Sequence, residues 1–149
     1  MNKRQDLLYI LIVLLSLCGM ADAIYLTVEH ITGQSVRCTI IAGCSEVLSS
    51  SYAVVGGFPL ASIGALAYFS VFCLAILALF GYRMVGSLLP PLVAGMCLVS
   101  IWLIYLQAFV IHAFCQFCLL SAAITFGLTA LVVLLWRERR GSSPTVKEG

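Results

Sequence analysis

The chain has 149 residues, of which 62% are hydrophobic and only 9% are charged, and its formal net charge is +2. Soluble domains carry about 25% charged residues, so the composition excludes an ordinary soluble fold and predicts an all-α integral membrane protein. The net charge is too small to predict nucleic-acid binding, and the length suits a single four-helix transmembrane bundle without a second domain.

The apolar runs place the four transmembrane helices within one membrane domain, residues 1–140. They are expected at about 7–28, 60–80, 91–111 and 115–136, since roughly 20 apolar residues are needed to cross a bilayer. Pro90 and Pro91 suit the first turn of the third span, and the small residue Gly64 is expected to permit close helix approach in the second. The tail, 141–149, is predicted to be disordered.

The first apolar segment has an alternative interpretation as a cleaved signal peptide. Lys3 and Arg4 precede an apolar stretch, and residues 21–23 read Ala-Asp-Ala, which matches an A-x-A cleavage site. Apolar character continues through residues 24–26, beyond the supposed cut, and this favours an uncleaved span.

The longest polar stretch, 29–59, connects the first two spans. Residues 44–52 predict a short amphipathic half-helix at the membrane interface. The Gly-Gly-Phe-Pro sequence at 56–59 is expected to break the chain before the second span begins.

The basic residues predict the orientation. All but one of those flanking the spans fall on one side of a four-span arrangement, namely Lys3, Arg4, Arg83, Arg137, Arg139 and Arg140, whereas Arg37 lies on the other side. The positive-inside rule therefore predicts a multi-pass protein with both termini in the cytoplasm and stretch 29–59 on the outward side. We expect a bacterial inner membrane, whose outward side is the periplasm. Disulfides persist in the periplasm because it is oxidising.

Two cysteine pairs carry the chemistry. Cys115 and Cys118 form a Cys-x-x-Cys at the start of the fourth span, where unpaired N–H groups and the helix dipole favour a thiolate. Cys38 and Cys44 lie in stretch 29–59 and therefore on the same predicted side. Thiol–disulfide exchange needs direct contact between sulfurs, so this arrangement predicts a relay between a mobile loop pair and a fixed helix-start pair.

Other uses of the four cysteines stay open at the level of residue chemistry. Two static disulfides, or a four-thiolate zinc or iron–sulfur site, would describe a non-enzymatic membrane subunit. Against a metal, only one pair has a short chelating spacing, and the oxidising side disfavours free thiolate ligands. The remaining cysteines lie within spans, where packing is the expected role, at Cys18, Cys73 and Cys97.

The order and spacing of these motifs resemble the vitamin K epoxide reductase family, and its bacterial members above all. The likeness runs from the first span to the fourth and rests on Cys38-x5-Cys44, Ser50, Tyr52, the Gly-Phe-Pro-Leu at 57–60, Gly64, Tyr68 and Cys115-x-x-Cys118. The DsbB-type oxidases also have four helices and two cysteine pairs, but they carry the Cys-x-x-Cys in the earlier loop.

The resemblance implies a quinone-linked oxidoreductase that generates disulfides for oxidative protein folding. Cys118 would face a ubiquinone or menaquinone, and Cys115 would be its partner in the resting disulfide. Cys44 would attack Cys115, and Cys38 would exchange with a separate periplasmic thioredoxin-fold protein of the DsbA type. Two electrons would thus pass from that dithiol protein through both pairs to the quinone.

The resemblance also indicates where a quinone would bind. The hydroxyl of Ser50 would orient a thiol or a quinone oxygen, and Leu60 is expected to support a mostly apolar pocket open toward lipid. Ala122 stands where vertebrate members have a tyrosine, and the loop asparagine that holds the vitamin oxygen has no counterpart, since Asn2 is the only asparagine. These departures favour plain quinone reduction over epoxide reduction.

Four further polar residues are candidates for supporting roles. Asp22 is an intramembrane carboxylate that would take up the protons of quinone reduction, unless it simply reaches water at the interface. His112 would stabilise the Cys115 thiolate, unless it snorkels to the headgroups. Gln107 and Tyr68 would donate hydrogen bonds to quinone oxygens, although aromatic residues near span ends are ordinarily interface anchors.

Overall fold

Four long helices form the protein, whose computed structural model describes residues 2–33, 38, 40 and 43–141. They are α1 (Lys3–Thr32), α3 (Leu60–Leu79), α4 (Leu89–Tyr105) and α5 (Gln116–Gly141). Each is long and apolar enough to cross a membrane, α4 being counted with its flanking turns as Val85–Ile111. The predicted all-α, four-span fold is confirmed. The predicted disorder of the tail beyond Gly141 lies outside the described residues.

The connection between α1 and α3 contains two small elements. A six-residue helix, α2 (Cys44–Ser49), is followed by a 3₁₀ turn at Ser51–Ala53. A hairpin of β1 (Val54–Val55) and β2 (Phe58–Pro59) then leads directly into α3.

The hairpin replaces the simple chain break expected at 56–59. Gly56 and Gly57 form its two-residue loop, with φ of 60° and 88°. A tight loop with two positive φ angles suits glycine, since a Cβ disfavours this conformation, and it matches the twist of the flanking strands. Two glycines between β-branched or aromatic residues were the sequence signal for this turn.

The helices extend beyond the apolar segments that predict them. α1 begins at Lys3 rather than near residue 7, and α5 continues to Gly141 rather than ending near 136. Arginine and glutamate are good helix formers, and arginines in a last turn interact favourably with the helix dipole. The two charged ends meet, since Arg4 pairs with Glu138 at 3.2 Å.

The core lies where α1 packs along α3 and α5. Gly19 of α1 makes the closest approach, because the ring of Tyr68 occupies the space that a Cβ at Gly19 would take. The expectation for Gly64 is wrong: a Cβ there would meet nothing within 4 Å. Gly64 borders a cavity instead of a neighbouring helix, so its small size creates space and not contact.

The first helix is an integral part of this core. Tyr9 and Ile12 are fully buried, and the hydroxyl of Tyr9 accepts a hydrogen bond from Arg139 of α5. Cleavage after Ala23 would remove this packing surface, so the structure agrees with an uncleaved span.

Candidate redox site

Cys115 and Cys118 lie at the beginning of α5. The carbonyl oxygen of Cys115 accepts the N–H of Leu119 at 3.0 Å, which makes Cys115 the N-cap residue, and Cys118 lies in the first helical turn. Cys115 is completely buried, whereas Cys118 is partly accessible and lines a cavity. Both side chains therefore lie next to N–H groups that have no partner within the helix.

The other pair forms a disulfide. Cys38 is bonded to Cys44, with a Cα–Cα distance of 6.0 Å. Cys44 begins α2 and is 1% exposed, while Cys38 is half-buried. The more accessible sulfur of this disulfide is thus that of Cys38.

The two pairs meet in one buried cluster. Its buried members are Cys44, Val47, Ala113 and Cys115, with Cys38 and Cys118 packed against them. Cys44 and Cys115 are therefore neighbours in space although 71 positions separate them in the sequence (115 minus 44). Sulfur exchange requires the two pairs to lie close to one another in this way.

Gly43 makes this close approach of the two segments possible. Its φ of 141° is a conformation that glycine adopts readily, and a Cβ there would lie 3.0 Å from the carbonyl oxygen and 3.2 Å from the nitrogen of Phe114. The backbone before Cys44 is thus seated directly on the backbone before Cys115. Sequence reasoning missed Gly43, and a glycine next to the second loop cysteine was the only available signal.

A second connection joins the loop to the start of α5. The backbone N–H of Ile40 donates to Oε1 of Gln116 at 3.0 Å. The chain between Cys38 and Cys44 is therefore attached to the residues on either side of Cys115, and the two pairs keep a defined relative position.

Electrostatics favour a thiolate at Cys115 when its pair is reduced. A hydrogen bond from the Cys118 thiol is the largest influence and lowers the pKa of Cys115 to about 7, while burial acts in the opposite direction. The backbone N–H groups of Phe117 and Cys118 add to the lowering. A thiol with a lowered pKa leaves a mixed disulfide more readily.

Asp22 lies inside the protein near the Cys115–Cys118 pair. Its side chain is 9% exposed, and Oδ2 has no hydrogen-bond partner within the described residues. One turn further along α1, the ring of Tyr25 packs against that of Phe117 at 5.1 Å, so this face of α1 meets the first turn of α5. The Asp22 carboxylate is close enough for its charge to act on Cys115 and Cys118. Asp22 therefore does not simply reach water at the interface.

A cavity of about 400 Å³ begins at Cys118 and extends between the four long helices, with α2 across one end. Its walls are mostly apolar. Of the residues singled out in the sequence, those that line it are Ser50, Leu60, Tyr68, Gln107, Cys118 and Ala122. Its volume falls within the range of small-molecule sites.

Two predicted residues lie outside this cavity wall. Asp22 is buried but does not line the cavity, and His112 is exposed, with a left-handed φ of 56° directly after the π turn at Leu106–Ile111. Conversely, His30 lines the cavity and was not predicted. The signal was its position on α1, since Ala23, Leu26 and His30 recur at the spacing of one helix face.

Most of the candidate donors in the cavity wall are engaged within the protein. The Tyr68 hydroxyl lies 2.9 Å from the carbonyl oxygen and Oγ of Ser121 and from Oγ1 of Thr125. Ser50 donates to the carbonyl oxygen of Val47 at 2.6 Å. Gln107 is different: its Oε1 accepts the backbone N–H of Cys115 at 2.9 Å, and its amide nitrogen has no partner within the described chain.

The arrangement does not resemble a metal centre. Cys38 and Cys44 share a disulfide bond, so neither presents a thiolate. Within residues 2–33, 38, 40 and 43–141, the structure has no group of three or more potential ligand side chains placed to hold a metal ion.

The fold and the site together define an integral membrane protein with two cysteine pairs in one buried cluster beside an apolar cavity. The vitamin K epoxide reductase family model matches residues 10–133, and the chain belongs to that family. The match begins within α1, so the first span is part of the family domain.

One relative carries a description of activity. Thiol-disulfide oxidoreductase LTO1 from Arabidopsis thaliana is 33% identical over an alignment 123 residues long, which covers 76% of this chain and 33% of that protein. The chain thus spans about a third of the length of this relative. Family and relative together support a disulfide redox function.

Proposed function

We propose that this protein is a quinone-dependent thiol–disulfide oxidoreductase that generates disulfides outside the cytoplasm. The observation that carries the proposal is that Cys44 and Cys115 lie in one buried cluster, next to a cavity that Cys118 lines. A static pair of structural disulfides has no need for this juxtaposition or for an adjacent cavity.

The first step is exchange with a protein dithiol of the thioredoxin fold. Cys38 is the entry point, because it is the more accessible sulfur of the loop disulfide. A partner thiolate attacks Cys38, its second thiol resolves the mixed disulfide, and the partner leaves oxidised. The loop pair has then gained two electrons and two protons, as two thiols.

The second step moves these electrons inward. The Cys44 thiolate attacks Cys115 of a Cys115–Cys118 disulfide and releases the Cys118 thiolate. Cys38 then attacks Cys44, which restores the loop disulfide and releases the Cys115 thiolate. The lowered pKa of Cys115 favours this release, because the less basic thiolate is the better leaving group.

The cavity residues fit a quinone head group. The walls are apolar, Leu60 and Ala122 offer contact surface, and Cys118 lies at the wall. A bound ubiquinone or menaquinone supplies an acceptor for the two electrons and two protons of the inner dithiol. Asp22 is the proposed base: it takes one proton from this dithiol and passes it toward the acceptor.

The proposal is tested with detergent-purified protein that has been fully reduced and freed of reductant. Addition of a short-chain ubiquinone is expected to lower the free thiol count from seven to three, with about two quinols formed per chain, because four thiols yield two disulfides. Thiols that stay reduced would overturn the proposal and favour structural disulfides.

Two variants test the order of transfer. Cys118→Ala is expected to abolish quinol formation while the loop pair still equilibrates with glutathione. Cys38→Ala is expected to stop oxidation of a DsbA-type partner while small thiols still reduce the inner pair. Partner oxidation at the original rate in Cys38→Ala would show that the assigned order is wrong.

A further inference from the structure

We infer that Gln107 is a bridge that holds Cys115 with one end of its amide group and a quinone carbonyl oxygen with the other. The inference rests on the proposed function and adds a residue that binds the acceptor and positions the inner cysteine pair at once. It concerns a side chain that the resemblance to the family does not assign.

The first half of the bridge is a hydrogen bond in the structure. Gln107 is 2% exposed, and its Oε1 accepts the backbone N–H of Cys115 at 2.9 Å. Only the oxygen of an amide can accept this bond, so the contact fixes the orientation of the group. Gln107 thereby satisfies an N–H group just before α5 and fixes the backbone of Cys115.

The second half is a donor left over. The amide nitrogen of Gln107 carries two N–H donors, and it makes no hydrogen bond with any described residue. Gln107 lines the cavity, and its nitrogen is not among the buried, unpartnered side-chain atoms of the described residues. The nitrogen is therefore open to the cavity, where the acceptor binds.

The local backbone explains how one residue reaches both groups. α4 ends in a turn of π-helix at Leu106–Ile111, and this wider turn shifts the register of the side chains that follow it. Gln107 thus faces inward together with Leu106, both being buried, whereas Phe109 and Val110 remain exposed. Turns of this kind are frequent at functional sites.

Among the polar groups in the wall, Gln107 is distinguished by its hydrogen bond to Cys115. Tyr68 is engaged with Ser121 and Thr125, and Ser50 donates to Val47. A carbonyl oxygen buried in an apolar cavity loses its water and needs a donor. The Gln107 nitrogen supplies one beside the Cys115–Cys118 pair.

The bridge is tested by equilibrium binding in addition to turnover. Oxidised, detergent-purified protein is titrated with a one-isoprene ubiquinone, and the Cys115–Cys118 pair is separately equilibrated with glutathione redox buffers and quantified by mass spectrometry. The variants are Gln107→Leu and Gln107→Met, the second of which keeps the length and approximate volume of the side chain. The control is Gln5→Leu, the same change at another buried glutamine, near the start of α1.

Both Gln107 variants are expected to bind the quinone about tenfold more weakly, as befits one lost hydrogen bond with a buried partner, and to raise the KM for quinone by a similar factor. The thiol–disulfide equilibrium of the inner pair is expected to shift in the same variants, and both quantities are expected to stay unchanged in Gln5→Leu.

A shifted disulfide equilibrium with unchanged quinone affinity would overturn the bridge and leave Gln107 as a cap of Cys115 alone. Weaker binding with an unchanged disulfide equilibrium would also overturn it, because the two ends would then act independently. Wild-type protein that reduces no quinone would overturn the proposed function itself, and the bridge with it.

Discussion

Single residues decide whether the two sulfur pairs can communicate. Cys44 and Cys115 are both almost completely buried and belong to one cluster. Their proximity depends on Gly43, whose missing side chain lets the backbone rest on that of Phe114. The proposed relay therefore needs only a small movement to bring the two sulfurs together.

This proximity predicts a trapped intermediate. In the double variant Cys38→Ser with Cys118→Ser, the resolving thiol of each pair is absent, so Cys44 and Cys115 are expected to form a stable disulfide in the purified protein. Peptide mapping by mass spectrometry without reduction detects the bond. In the matched variant Cys44→Ser with Cys118→Ser, Cys38 and Cys115 are expected to link far less, because Cys38 lies at the edge of the cluster. Equal linkage in both variants would contradict the assigned pairing.

Asp22 provides a second test at this scale. Replacement by asparagine keeps the shape and removes the base, so Asp22→Asn is expected to slow quinol formation by roughly 100-fold, the lower end for loss of a general base. Exchange between the loop pair and glutathione is expected to continue unchanged. Stopped-flow quinol absorbance measures the first quantity and alkylation trapping the second. The control is Glu46→Gln on the exposed face of α2; a wild-type rate in Asp22→Asn would remove Asp22 from proton transfer.

Helices and their contacts were only partly predictable from sequence. Hydropathy predicts four spans because the bilayer thickness sets a length that the chain must match, and this holds for all four helices. The partner of each glycine is not encoded in this way: Gly64 was expected in a helix contact, yet Gly19 makes the closest one. In a membrane span, a small residue has the same hydropathy whether it faces lipid, a cavity or a neighbouring helix. The hydropathy pattern alone therefore does not distinguish these three positions.

The candidate site, too, was only partly predictable from the sequence. The sequence predicts the Cys-x-x-Cys at Cys115 and Cys118 directly. It also predicts that the loop pair lies on the same side of the membrane, because topology follows from the number of spans and the distribution of charge. Gln107 was expected to donate to a quinone, but its bond to the Cys115 N–H depends on the π turn at the end of α4. No local sequence signal marks that turn.

The contact between α1 and α3 predicts a packing effect on stability. A Cβ at Gly19 would overlap the Tyr68 ring, which is held in place by Ser121 and Thr125. Gly19→Ala is therefore expected to destabilise the bundle by about 1–3 kcal/mol, the usual cost of overpacking, despite the better helix propensity of alanine. Gly64→Ala, where a Cβ has open space, is the matched control for propensity. Thermal unfolding is followed by the circular dichroism of the helices. The Tm of Gly19→Ala should be lower than that of the wild type, and the Tm of Gly64→Ala should be equal or higher. The reverse order would refute the packing argument.

At the scale of the whole molecule, the arginine-rich helix ends and the cysteine cluster lie at opposite ends of the helices. One end holds the ion pair of Arg4 with Glu138, the Tyr9–Arg139 hydrogen bond and a cation–π contact of Arg140 with Trp136 at 3.9 Å. The other end holds the loop disulfide and the start of α5. Basic residues are retained on the cytoplasmic side during insertion, so this distribution predicts that the cysteine cluster faces the oxidising side of the membrane.

This orientation predicts one-sided labelling of single cysteines. In a variant whose other six cysteines are serine, Cys38 is expected to react with a membrane-impermeant maleimide in intact spheroplasts. In a cysteine-free background, Tyr82→Cys in the exposed turn after α3 is expected to react only after lysis, and it leaves every arginine in place. Gel-shift analysis of both variants, with and without lysis, gives the comparison. Labelling of Tyr82→Cys in intact spheroplasts, with Cys38 protected, would place the cysteine cluster in the cytoplasm, where thiols are kept reduced, and would make a disulfide-generating direction untenable.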